Sequence, residues 1–332
     1  MSNNASKLSK CGLADYHVAG LDGRGLTVAV LDEQPYIRPT MDREIFSAPL
    51  GEGREATHAS NVAQVVHEAA LGAKVVMLPF MSTADRKAAI AWLQNNPVDI
   101  INISLNLATA DEFWPDLQAL NRPVVAAAGN KGPDTADCAK PARYSWTLAV
   151  GGYLEGSNSI YSDNSCGESM DCVAYTNVNI ETKPGYLAPF GGTSAAAPWL
   201  CGMLACLFTG YSVPSVEILR EVIRTYCRDV AEPGKDRSSG WGLFIMPPLA
   251  EWREEAAKFG RPADKPQEPP EPRQKKIVLH LGSSTAEVDG QAVQLDCAPK
   301  AEGGRTLVPL RFVAEALGCQ VDYAAGQITI VR

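Results

Sequence analysis

Short apolar runs alternate with small-residue stretches of helical period from Leu26 to about Trp252. Leu26 to Leu31 reads LTVAVL, the pattern of a buried strand. His58 to Leu71 has helical spacing, with Val62, Val65, Val66 and Ala69 on one face. Ala73 to Leu78 predicts the next strand, Arg86 to Gln94 a helix, and Asp99 to Leu105 (DIINISL) a further strand. Val124 to Ala128 predicts another, and its run VVAAA fits a strand buried on both faces. Strands alternating with helices predict a mostly parallel sheet covered on both sides. Ser194 to Phe208 predicts a helix of small residues, with Pro198 tolerated in its first turns.

The pattern breaks at Lys258. Lys258 to Lys276 reads KFGRPADKPQEPPEPRQKK, a Pro-rich and charged stretch that predicts an extended linker. Beyond it, Val288-Asp289-Gly290 marks a hairpin turn, Phe312 to Leu317 a short helix, and Gln320 to Tyr323 and Gln327 to Val331 two strands joined at Ala325-Gly326. The expected organisation is an N-terminal extension over 1–20, an α/β domain over 21–257, a linker over 258–276 and a small α+β domain over 277–332.

Composition narrows the function classes. The chain has 332 residues, 45% hydrophobic and 20% charged, a globular composition with room for about two domains. Its net charge of -8 argues against nucleic acid or an anionic membrane surface as partner. The first residues, MSNNASKLSKCGLADYH, carry no apolar stretch behind their lysines, and no run reaches the roughly 18 residues of a membrane span. A cytoplasmic protein is therefore expected, with release by another route or by lysis as the alternative. Nine cysteines without a CxxC, and only four histidines, predict free thiols in a reducing compartment rather than a zinc site. Cys166 and Cys172 are spaced so that they could also bridge a loop.

Three segments carry candidate chemistry. Asp32 ends the first strand, where α/β proteins place functional groups. His58 opens a helix within Thr57-His58-Ala59-Ser60. Ser194 follows a glycine pair in Gly191-Gly192-Thr193-Ser194-Ala195-Ala196-Ala197-Pro198. Taken singly, an acid in a loop, a structural histidine and a capping serine are the commoner readings. Together they have a chemical logic. A serine hydroxyl is a poor nucleophile until a base takes its proton, and that base needs an acid to fix its tautomer.

The chain order Asp, His, Ser is that of the subtilisins, and residues Gly20 to Trp252 resemble the subtilases. Val28 to Asp32 resembles the family's aspartate strand, and Thr57-His58 with its helix and the Gly72-Ala73-Lys74-Val75 strand entry its histidine motif. Asp99 to Leu105 resembles the cleft strand, and Ala126-Ala127-Ala128-Gly129-Asn130 the oxyanion motif. Gly192 to Pro198 resembles the nucleophile motif, and Gly240-Trp241-Gly242-Leu243 a closing motif.

The resemblance implies a subtilisin-like three-layer fold and a serine endopeptidase acting on peptides or proteins. Ser194 would attack, His58 would take and return the proton, and Asp32 would orient His58. Asn130 and the Ser194 N–H would bind the oxyanion. Ser104, Leu105, Asn106, Ala127, Ala128 and Gly129 would wall a substrate pocket with Ala139 at its floor. With no carboxylate among them, the expected preference is an uncharged, fairly large apolar residue before the cut bond.

Several positions depart from the family pattern. Glu33-Gln34 follow the aspartate in place of a hydroxyl residue and Gly. Ala56 replaces Gly, Ala59-Ser60-Asn61 replaces Val-Ala-Gly, and Asn106 replaces a glycine of the cleft strand. If Glu33 turns toward the site, its charge raises the His58 pKa. The alternative function is a catalytically silent subtilase fold that binds or scaffolds through its C-terminal module.

No cofactor is expected. The helix after His58 lacks the inserted loop that holds a tight calcium in relatives, and Asp163, Asn164, Glu168 and Asp171 could hold a cation only weakly. Asp32 is preceded by 31 residues, too few for a long prodomain. Gly20, Gly23 and Gly25 precede the first strand rather than follow it, which excludes a dinucleotide fingerprint.

Gly304 to Gly318, within the last domain, resembles the N-terminal stalk module of copper amine oxidases. Copper is not implied, since His280 is the only good ligand there. Such modules occur on envelope proteins of Gram-positive bacteria, so a cell-envelope or protein partner through 277–332 is expected.

Overall fold

The alternation hidden inside each apolar run decides which helix layer a strand feeds. In β1 (Thr27–Asp32), Val28 and Val30 join one core, while Ala29 and Leu31 join another. The same parity holds in β3 (Lys74–Pro79): Val75 and Met77 face the first core, Val76 and Leu78 the second. Both cores are apolar, so the strands read as continuous runs and make the middle layer of three.

The computed structural model describes residues 4–33, 45–47, 57–107, 110–183, 186–262, 277–288, 291–302, 305–316, 320–324 and 327–331. They fall into two compact units, Ser2–Glu268 and Pro269–Arg332. In the first, α1 (Ala5–Lys10) and α2 (Leu13–Val18) precede β1, and β2 (Ile45–Ser47), α3 (Thr57–Ala69) and β3 follow it. Next come α4 (Thr83–Asn95), β4 (Ile100–Ile103), α5 (Trp114–Ala119), β5 (Val124–Ala127) and β6 (Thr147–Leu154). After β7 (Ser159–Ile160), β8 (Met170–Tyr175), β9 (Val178–Lys183) and β10 (Tyr186–Phe190) comes the central helix α6 (Thr193–Leu207). The unit closes with α7 (Val216–Tyr226), β11 (Cys227–Arg228), β12 (Leu243–Phe244) and α8 (Leu249–Phe259).

The sheet order is β11-β12-β8-β6-β5-β4-β1-β3-β2, parallel except for the β11–β12 pair and the short β7 laid antiparallel on β6. Helices α3 and α6 cover one face; α4 and α5 cover the other. The chain leaves β1 for β3 on one side and returns to β4 on the other. That reversal opens a crevice at the carboxyl ends of the strands, and Asp32 ends β1 there.

Two features depart from the sequence reading. Residues 4–18 are woven into the first unit: Leu13 and Tyr16 are fully buried, Tyr16 Oη donates to the Pro247 carbonyl at 3.0 Å, and Met246 N–H donates to the Cys11 carbonyl at 2.8 Å. At the other end α8 continues through Phe259, whose ring stacks on the buried Trp252 at 5.6 Å. The closing glycines have a steric reason. A Cβ on Gly240 would strike the Asp171 backbone, and one on Gly242 the Arg228 backbone.

Among the described residues of the second unit, the strand pairings are all antiparallel. Ile277–Leu279, Thr285–Val288 and Gln291–Gln294 form three strands, with Val288 opposite Gln291 across the expected turn. Lys300–Glu302 pairs with Arg305–Leu307, and Gln320–Ala324 with Gln327–Val331, around the helix Leu310–Ala316. Among the described residues, no helix is long and apolar enough to cross a membrane.

Helices α3 and α6 touch through very small side chains. A Cβ on Gly202 of α6 would overlap the Ala69 methyl of α3 and lie 3.0 Å from the Val66 carbonyl oxygen. Gly202→Ala must therefore separate the two helices. The expected cost is about 1–3 kcal/mol, the usual penalty for overpacking. Denaturant titration measures it, and an unchanged midpoint would show that the contact tolerates a methyl.

Candidate active site

Strand parity turns Asp32 toward the α3 and α6 layer, and α3 begins within reach of it. His58, second residue of α3, places Nδ1 2.7 Å from Asp32 Oδ1. The carboxylate is buried, and its Oδ1 also accepts the Glu33 N–H at 2.8 Å. Oδ2 is buried too and finds no donor among the described residues. Gln34 and Ala56 lie outside the described residues.

The imidazole feels opposing influences. Burial pulls its pKa down. The hydrogen bond to Asp32, the Asp32 charge and the Glu33 charge push it up, and together they win, so the His58 pKa lies above its ordinary value.

Ser194 sits in the first turn of α6, where the helix leaves its N–H groups unpaired. Its Oγ donates to the Ser104 carbonyl at 3.1 Å, so the hydroxyl proton points at the end of β4. Ser104 is itself held, its Oγ donating to Asn102 Oδ1 at 3.0 Å.

Asn130 is oriented by a residue to which the sequence reading assigns no role. Thr193 donates to Asn130 Oδ1 twice, from its N–H at 3.0 Å and its hydroxyl at 3.1 Å. That hydroxyl in turn accepts the Gly129 N–H at 3.2 Å. With Oδ1 engaged, the Asn130 NH₂ is turned outward as a donor. Gly192 makes room for this: its φ is +70°, and a Cβ there would come 3.1 Å from Asn130 Oδ1.

The expected pocket residues converge on the same edge. Ala139 N–H donates to the Ala128 carbonyl at 2.7 Å, and a Cβ on Gly129 would lie 2.9 Å from the Ala139 methyl. Ala127 and Ser104 are both buried; Leu105 packs partly against the second core, and Asn106 is exposed. Neighbouring Cys138 is held as the unreactive thiol, because burial pushes its pKa up to about 11.

The four residues expected to hold a cation weakly have other partners. Asp171 is ion-paired with Arg220 at 2.9 Å, Asn164 bonds both backbone groups of Gly152, Asp163 accepts from Tyr161 at 3.0 Å, and Glu168 faces Arg237. Among the described residues no group of three metal-binding side chains forms. Cys166 and Cys172 are separate free thiols, not a bridge.

Residues 50–242 match the model of the Subtilase family, and residues 271–331 that of the Copper amine oxidase N-terminal domain. The minor extracellular protease Epr of Bacillus subtilis (strain 168) is 28% identical over 255 residues, 68% of this chain and 38% of that protein. Subtilisin BL of Lederbergia lenta is 30% identical over 217 residues, 57% of this chain and 78% of the relative. The structure of the prenylagaramide maturation protease PagA superposes with a TM-score of 0.57 at 20% identity, covering 71% of this chain and 96% of that one, a likeness of fold. The family match begins after Asp32, so it is the 2.7 Å contact with His58 that ties the aspartate to the matched region.

The Glu33 charge has a testable consequence. A base must be neutral to accept a proton, so a raised pKa moves the acid limb of the pH–rate profile upward. Glu33→Gln removes one upward influence, and the acid limb of kcat/KM is expected to shift to lower pH. Superimposable limbs for the two proteins would mean that solvent screens the charge completely.

Proposed function

The chain belongs to the subtilase family, and we propose that it is a serine endopeptidase in which Asp32, His58 and Ser194 act as one unit. The observation that carries this reading is the 2.7 Å bond from His58 Nδ1 to the buried Asp32. It leaves Nε2 as the basic nitrogen and fixes the tautomer.

The steps follow from that arrangement. The Ser194 hydroxyl turns from the Ser104 carbonyl to His58 Nε2 and passes its proton there as Oγ bonds to the substrate carbonyl carbon. The imidazolium is stabilised by Asp32. Negative charge gathers on the former carbonyl oxygen, met by the Asn130 NH₂ and the Ser194 N–H. The carbon–nitrogen bond breaks as His58 returns the proton to the leaving amine. Water then attacks the ester in the same way, and the acid leaves with Ser194 restored. All three members are present in the sequence, which favours this reading over a silent scaffold. The small pocket residues Ala127, Gly129 and Ala139 support a preference for an uncharged, bulky apolar side chain before the cut bond.

Two substitutions test the assignment. Ser194→Ala is expected to reduce peptide hydrolysis to background while circular dichroism and melting stay as in the wild type. Hydrolysis near the wild-type rate would overturn the proposal. Asn130→Ala is expected to lower kcat by about 10²–10³-fold, a magnitude taken from a subtilisin rather than from these distances.

A further inference from the structure

We propose that Phe190 is a positioning residue for His58, and that Asn4 and Gln64 hold it in place through the outer edge of the β9–β10 hairpin. This rests on His58 being the base of the reaction. Phe190 and His58 meet nearly edge to face, ring centroids 5.5 Å apart at 74°, a favoured geometry for an aromatic pair. Phe190 ends β10 and is followed directly by Gly191 and Gly192, so the same backbone leads to Ser194.

A two-stranded hairpin is marginal by itself, and among the described residues β9 and β10 pair as strands only with each other. It needs an outside brace. In its register Phe190 lies opposite Val178, and Pro189 opposite Asn179. The Asn179 N–H donates to Asn4 Oδ1 at 2.8 Å, and Asn4 Nδ2 donates to the Asn179 carbonyl at 2.8 Å. One carboxamide thus pairs with the strand edge as a neighbouring strand would.

Asn4 stands at the N-cap of α1, yet its side chain makes no capping bond there. It is 1% exposed, and its Nδ2 also donates to Glu68 Oε2 at 2.9 Å, on the last turn of α3. Two residues along β9, the Glu181 N–H donates to Gln64 Oε1 at 3.1 Å, in the middle of α3. The brace therefore closes on the helix that carries His58. From His58 it runs along α3 to Gln64 and Glu68, across to β9, over to β10, and back through Phe190 to the imidazole.

A base that cycles through the imidazolium must keep Nδ1 on Asp32 while Nε2 changes roles. Water beside a charged ring competes with that bond. Phe190 covers one side of the ring with an uncharged surface. Among the described residues, the charges acting on His58 are those of Asp32 and Glu33. Removing Phe190 changes no charge; it admits water, which favours the imidazolium.

The test uses the full chain and two independent readings: kcat and KM on a peptide, and the His58 titration followed by histidine NMR. Phe190→Ala is expected to lower kcat about tenfold, the rate equivalent of a strong aromatic contact. KM should change little, and the His58 midpoint should move up. Phe190→Tyr should restore both, and Asn4→Ala should move both the same way by less. If Phe190→Ala does not fold, Phe190→Leu gives the reading, with a loss of about threefold. Wild-type kcat and an unmoved midpoint in the foldable variant would overturn the inference while leaving the peptidase reading intact. A moved midpoint in a chain whose wild type hydrolyses nothing would sustain the positioning role and sink that reading.

Discussion

The close crossing of α3 and α6 is the constraint on which the site depends. Each helix starts at the carboxyl edge of the sheet, one with His58 in its first turn and the other with Ser194. They approach because Gly202 faces Ala69 with nothing larger between them. Ala195, Ala196, Ala197 and Ala205 of α6 are also small and fully buried. A bulkier helix would stand further from α3 and carry its serine away from the imidazole. Fold stability and catalytic geometry are in this sense the same packing problem.

On that frame the polar groups are fixed in pairs. Thr193 does more than open a helix: it joins Gly129 to Asn130 and so decides which end of the amide faces the cleft. Asp32 decides the tautomer of His58 from below, and Phe190 covers the ring from the hairpin side. Glu33 is a departure from the family pattern whose effect is electrostatic. It leaves the Asp32–His58 bond in place and adds a second negative charge to the surroundings of the imidazole.

Much of this was legible in the amino-acid order, and the exceptions have physical causes. The apolar runs at β1, β3, β4 and β5 are found within a residue or two of where they were expected, because strands buried on both faces leave no other reading. Those same runs conceal which residues face which core, since both faces are apolar. The glycine pair before Ser194 announced a special backbone, and the φ of Gly192 with the Asn130 amide against it supplies the reason. The first 20 residues gave no sign of their burial. Leu13 and Tyr16 are only two apolar anchors on short helices, and the Tyr16 hydroxyl finds its partner far along the chain, at the Pro247 carbonyl. The contact of Phe190 with His58 and the clamp of Asn4 on Asn179 join segments far apart in the chain, and neither Phe190 nor Asn4 belongs to any motif.

The central claim is that Ser194 is an activated nucleophile, which a fluorophosphonate probe reads without knowledge of the natural substrate. Labelling of the wild-type chain, followed by peptide mapping, should find a single adduct on Ser194, and its rate should rise with pH as His58 becomes neutral. An intact, folded chain that takes up no probe, or takes it up on another residue, would contradict the account.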